Sequence, residues 1–164
     1  MPGVAEVPLI ARRRIEAELI RYVYGVLEEE FGTGKARELV SRAVERAAED
    51  AGSALAAQEA GAPGTRTLAA RQGLWSAGGA LETRVLELTD DVYAYEVTRC
   101  DYADMYRELG MADLGSLISC LRDAAFVRGY APDLSLERDG TIMEGCAKCR
   151  FLYRRAAPPA GPGE

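Results

Sequence analysis

The sequence predicts an α+β fold on three observations. Apolar residues recur at three- and four-residue steps through roughly the first sixty positions, the period of an amphipathic helix. From Ala80 the period changes, and Val92-Tyr93-Ala94-Tyr95-Glu96-Val97 carries the β-branched and aromatic residues of a strand. Helical spacing returns between Asp101 and Val127, followed by two more strand-like segments. The expected architecture is an N-terminal helical layer, a small antiparallel sheet of about four strands made of two hairpins, and a helix pair inserted between the hairpins. One domain is expected over residues 1–155, with a disordered Pro/Ala/Gly tail at 156–164.

Residues 1–7 are expected to fray, and Pro8 suits the first turn of a helix reaching about Phe31. Ile15, Leu19, Tyr22, Val23, Val26 and Leu27 would form its buried face. Gly32 stops it, and a second helix runs from Thr33 or Gly34 to about Glu59 with Leu39, Val40, Ala43, Val44, Ala47 and Leu55 inward. Its alanines suit close packing in a core, or else a dimer seam. Pro63 among glycines breaks the chain. Thr65 or Thr67 caps a third helix to about Ser76, on which Trp75 reads as core, with a ligand-stacking wall as the alternative.

The first hairpin turns at Thr89-Asp90-Asp91. Asp101–Leu109 and Asp113–Val127 are the inserted helices, split by Gly110 and ended by Gly129 and Pro132. Leu134–Met143 and Cys149–Tyr153 form the second hairpin around Glu144-Gly145.

Composition excludes much. The net charge is −6 with no basic cluster interleaved with aromatics, so no nucleic-acid partner is expected. Arg12, Arg13 and Arg14, followed by Glu16 and Glu18, read as a solvated helix face, with phosphate binding as the alternative. No apolar run reaches the ~20 residues of a membrane span, and no signal peptide is visible, so no membrane association and a cytoplasmic location are expected. Four reduced cysteines follow from that compartment. The absence of histidine removes Ser-His-Asp and Cys-His catalysis and His-ligated metal. Proton transfer then falls to Asp, Glu, Lys, Tyr, Cys or water.

All four cysteines, Cys100, Cys120, Cys146 and Cys149, lie between Arg99 and Arg150. Cys120 and Asp123, three apart on a predicted helix, share a face and can meet one ligand. A buried Asp there would have a raised pKa and act as a proton donor. The plainer reading is a packed Cys and an Asp paired with Arg122 or Arg128. Cys100 sits where a strand hands over to a helix, where free N–H groups activate a thiol, although a buried structural Cys fits equally. Tyr102 and Tyr106, four apart, line a cavity or fill the core. Cys146-Ala147-Lys148-Cys149 is a CxxC without a second close pair, so neither a zinc site nor a redox pair is expected.

The string C-D-Y-A-D-M-Y-R-E-L-G from Cys100, C-L-R-D from Cys120, and T-I-M-E-G from Thr141 with a cysteine four residues after Gly145, resembles the L-2-amino-thiazoline-4-carboxylic acid hydrolase family. The likeness runs from about Leu74 to Tyr153, and Cys100, Cys120, Asp123, Gly145 and Cys149 are its matched positions. It implies hydrolytic opening of a small cyclic amidine-like substrate, with Cys100 or Cys120 as nucleophile, Asp123 as acid/base, and Thr141, Gly145 and Cys149 around the pocket. Charge and position add Arg99 or Arg122 as a carboxylate clamp. No cofactor and no metal are implied; a homo-oligomer is compatible.

The order of elements is also similar to small-molecule-binding domains of the vinyl-reductase type. A noncatalytic binding or sensing domain is therefore the alternative, and a structural partner in a larger assembly a third reading.

Overall fold

A computed structural model describes residues 7–156; the expectations for residues 1–6 and 157–164 lie outside them. The α+β class holds. Helix α1 spans Leu9–Ala56, and α2 (Thr65–Ala70) and α3 (Gly73–Ser76) lead into strands β1 (Leu81–Leu88) and β2 (Val92–Cys100). Helices α4 (Asp101–Glu108), α5 (Ala112–Gly115) and α6 (Arg122–Tyr130) precede β3 (Leu134–Asp139) and β4 (Cys149–Arg155). The two antiparallel hairpins join through β2 and β4, giving one open sheet in the order β1-β2-β4-β3. No helix among the described residues is long and apolar enough to cross a membrane.

Gly32 interrupts α1 as expected: its φ of 78° and ψ of 160° kink the helix where only glycine is unstrained. Pro8 stands one residue before the helix, at the N-cap, and its carbonyl accepts from Ala11 and Arg12. The second half ends at Ala56, short of Glu59. Its buried residues are Ala36, Val40, Val44, Ala48 and Gly52, one every four positions. Leu39 and Leu55 are half-buried, and Ala43 and Ala47 face solvent.

That ridge of small residues lets α1 cross α6 at backbone contact. A Cβ on Gly52 would come within 2.1 Å of the Phe126 carbonyl oxygen, and one on Gly129 within 2.0 Å of the Glu49 carbonyl oxygen. Gly129 therefore lies inside α6 as a packing residue and does not end the helix.

The N-terminal half of α1 departs most from expectation. Residues 9–31 bury Ala17 and Tyr24 and lean Ile10, Ile20 and Leu27 on the core, whereas Ile15, Leu19, Tyr22, Val23 and Val26 are exposed. The apolar pattern has two faces two residues out of phase, and the one read as buried is, Leu27 apart, the outer one.

Two clusters make up the core. Tyr93, Tyr95, Val97, Phe151 and Tyr153 stack across β2 and β4 beneath α2 and α6. Ala36, Val40, Val44, Tyr106, Ile118 and Met143 pack α1 against the inserted helices. Cys100 and Ile142 touch both. On the opposite sheet face, Glu96 is covered by Arg84 of β1 and Arg150 of β4, its register partners, and by Lys148, at 2.7, 3.0 and 2.5 Å.

Three other segments differ from the reading. The third helix breaks at Arg71-Gln72, its start held by the Gly64 N–H donating to the Thr67 hydroxyl at 2.8 Å. The helix expected over 113–127 contains a π-helical turn, Ser116–Cys120, before α6. β3 ends at Asp139, because Gly140 turns the chain at φ 66°; Ile142–Glu144 is then a short 3₁₀ turn ended by Gly145 at φ 95°.

Candidate functional site

Between the two core clusters the packing opens into a cavity of about 120 Å³. A dry apolar cavity of roughly 150 Å³ holds benzene, so this one is sized for a five- or six-membered ring. Its apolar walls are Leu81, Tyr95, Val97, Phe126, Met143 and Phe151, and Trp75 closes it edge-on to Phe126 at 5.2 Å. Trp75 thus packs against the sheet-side core, as expected, and also lines the cavity.

The polar side comes from the π turn. A π turn inserts one extra residue into a helix and frees carbonyls from the usual ladder. Here the Leu121 N–H reaches back five residues to the Ser116 carbonyl at 2.9 Å. The freed carbonyls take arginines: Arg122 Nε donates to Ile118 O at 2.8 Å, and Arg138 donates to Cys120 O at 2.8 Å. The same Arg138 nitrogen donates to Asp123 at 2.5 Å. Cys120, Asp123, Arg122 and Arg138 all line the cavity.

Burial pushes the Asp123 carboxyl up to about 6, against the opposing pull of Arg138. Some 28% of its side chain stays accessible because it lines the cavity and not the packed core. The thiols move the same way. Burial raises Cys100, although the Ala103 and Tyr102 N–H groups at the start of α4 oppose it. Cys120 is pushed far up by burial and then by Asp123. Cys149 is raised by burial while accepting the Ile142 N–H at 3.2 Å. None is a ready thiolate at neutral pH.

Of the positions expected from sequence, Cys100, Tyr102, Cys120, Arg122, Asp123, Thr141 and Cys149 line the cavity. Arg99, Tyr106 and Gly145 do not. Arg99 is held on the surface by Glu82, Asp101 and the Gly79 carbonyl, which corrects its expected place as a clamp. Tyr106 is fully buried in the neighbouring core with its hydroxyl unpartnered. Gly145 caps the 3₁₀ turn whose other end is Thr141; there the Thr141 hydroxyl accepts from the Glu144 N–H at 3.1 Å. Cys146 is exposed and outside the cavity.

Sequence reasoning missed Arg13, Gln72 and Arg138. Arg138 is in phase with Leu134 and Leu136 on β3, and strand alternation alone sets it inward. Arg13 lies in phase with Ile10, Ala17 and Ile20, which corrects its reading as part of a solvated face. Arg13 and Arg122 share one carboxylate, Glu16, at 2.5 and 3.0 Å. Two guanidinium groups on one carboxylate leave a net positive corner at the cavity. Gln72 adds a buried amide nitrogen with no hydrogen-bond partner.

Fold and site together define an α+β domain with a partly open, ring-sized cavity carrying a carboxyl–guanidinium pair. The family model described as L-2-amino-thiazoline-4-carboxylic acid hydrolase matches residues 12–153, and the chain belongs to that family. No curated protein matches it. Among solved structures, the phenol-responsive sensory domain of the transcription activator PoxR, solved with phenol, is similar at 14% identity and a TM-score of 0.44. The match covers 87% of this chain and 74% of that one.

Proposed function

We propose that the chain is a hydrolase that opens a small cyclic amidine-like ring, such as 2-aminothiazoline-4-carboxylate, to an N-carbamoyl amino acid. The observation that carries this reading is Asp123, a carboxyl near pKa 6 beside Arg138 in a ring-sized cavity. At neutral pH it is mostly ionised and acts as a base. Water adds through oxygen to the ring carbon between sulfur and nitrogen, and Asp123 takes its proton and returns it to the ring nitrogen. The carbon–sulfur bond then breaks, its electron pair leaves on sulfur, and the proton of the added hydroxyl passes through Asp123 to the thiolate. The net positive corner at Arg13 and Arg122 suits the substrate carboxylate. The raised thiols favour direct attack by water over a thiol adduct, so Cys100, Cys120, Thr141 and Cys149 serve as walls.

The same raised thiols favour a second reading, a binding or sensing domain that holds such a ring without turning it over. Incubating the purified protein with 2-aminothiazoline-4-carboxylate and related cyclic amidines, with product read by mass spectrometry, separates the two. Turnover lost in Asp123→Asn supports hydrolysis. Saturable binding without product supports the second reading and overturns the first.

A further inference from the structure

Residues 9–31 of α1 carry two apolar stripes. The inner one, Ile10, Arg13, Ala17, Ile20, Tyr24 and Leu27, meets the core and the cavity. Shifting every position of that stripe forward by two gives Arg12, Ile15, Leu19, Tyr22, Val26 and Glu29. Two residues turn an α-helix by about 200°, so from Ile15 onward the second stripe faces away from the protein, while Arg12 at its start is half-buried. Ile15, Leu19 and Tyr22 are each 66% exposed and Val26 60%, with Val23 and Phe31 exposed alongside. A helix apolar on both faces is normally covered on both.

We infer that the outer stripe is the contact with a second copy of this chain, the two helices running antiparallel. The alternating steps of three and four are those of a coiled-coil seam. The charges at its ends choose the partner and the direction. Arg14 lies at the start of the segment beside the half-buried Arg12, Arg13 being turned to the cavity, and Glu29 and Glu30 lie at its end. Arg14, Glu29 and Glu30 are all exposed. Antiparallel self-pairing sets Ile15 opposite Val26 and Leu19 opposite Tyr22. It thereby lays the arginine end of each copy over the glutamate end of the other. Parallel pairing would set arginines on arginines and glutamates on glutamates, which is repulsive.

A two-fold contact uses the same patch twice. The surface lies on the side of α1 away from Arg13, so pairing leaves the cavity intact.

The test uses the whole chain. Sedimentation equilibrium at high micromolar concentration should give twice the chain mass of 17.7 kDa. Leu19→Glu should return it to a single chain mass with an unchanged circular dichroism spectrum. Direction is read by disulfide trapping with Cys146 replaced by serine. A mixture of Ile15→Cys and Val26→Cys chains should form a cross-linked pair, while neither chain cross-links with itself. A monomeric wild type overturns the proposal, as does an Ile15→Cys chain that cross-links to itself, or a Leu19→Glu variant that stays folded and dimeric.

Discussion

Asp123 and Glu96 are two carboxylates that each meet arginine, and their proton affinities move in opposite directions. Glu96, on the outer face of the sheet, is held down to about 2, chiefly by Lys148 and Arg84, with Arg150 adding to them. Asp123 is held up at about 6, because burial in the cavity outweighs Arg138, its one hydrogen-bonded cation, together with the weaker pull of Arg122 and Arg13. Glu96 is covered too, but by long cationic side chains that are themselves about half-exposed, so its charge is matched three times over beside water. Contact with a guanidinium therefore does not fix the sign of the shift. The ratio of compensating charge to lost solvation does.

The comparison is broken most forcefully at Asp123 itself. Asp123→Asn keeps the shape and hydrogen-bonding capacity but cannot carry a proton, and turnover of a cyclic amidine should fall at least about 100-fold. Melting temperature measured on the same preparation separates this from unfolding. Near-normal turnover in a stable variant would remove Asp123 from the chemistry.

Next in size is the pH dependence of stability. The folded-state pKa of Asp123 is raised, so its contribution is fully present below about 3.8 and is lost as pH rises through about 6. Wild type should lose up to about 3 kcal/mol relative to Asp123→Asn between pH 4 and 7, by urea denaturation. A difference that grew as pH fell would carry the wrong sign.

Arg138→Met makes the comparison sharper, because it strips Asp123 of its one close cation. The acid limb of the pH–rate profile, expected near 6 in wild type, should move to higher pH. An unchanged limb would show that another group titrates there.

Glu96→Gln gives the smallest effect and the opposite sign. Its folded-state pKa is depressed, so its contribution is present above 4.5 and lost as pH falls towards 2. Wild type should weaken over that window, and the Gln variant should be flat there.

Much of the fold was legible because periodicity reports it directly. The kink at Gly32, the Thr89–Asp91 turn, the strand-to-helix handover at Cys100 and the interruption at Gly110 all stand where local chemistry put them. What period alone could not give was which of two apolar stripes on residues 9–31 meets the core, since both repeat at helical spacing. Gly129 misled for a related reason: a helix-ending glycine and a helix-crossing glycine look alike until Glu49 is seen against it.

The candidate site divides similarly. Cys120 and Asp123 were found from spacing and motif, and they do line one cavity. Arg99 was chosen for its charge beside Cys100, and simple alternation would set it inward with Tyr95 and Val97, but a β-bulge that skips Thr98 turns it to the surface, and it is Arg138, far away in sequence, that meets the carboxyl.

The π turn at Ser116–Cys120 gives the cavity an unusual kind of dependence. Its five-residue loop is a matter of counting and not of side-chain identity. Deleting one residue, such as Ser119, would let the segment relax to ordinary four-residue loops, and everything beyond it would swing by about 100° relative to Leu117 and Ile118. Asp123 and Arg122 would then leave the wall they now share, with no functional side chain altered. Chain length through this turn acts as a reading frame for the cavity.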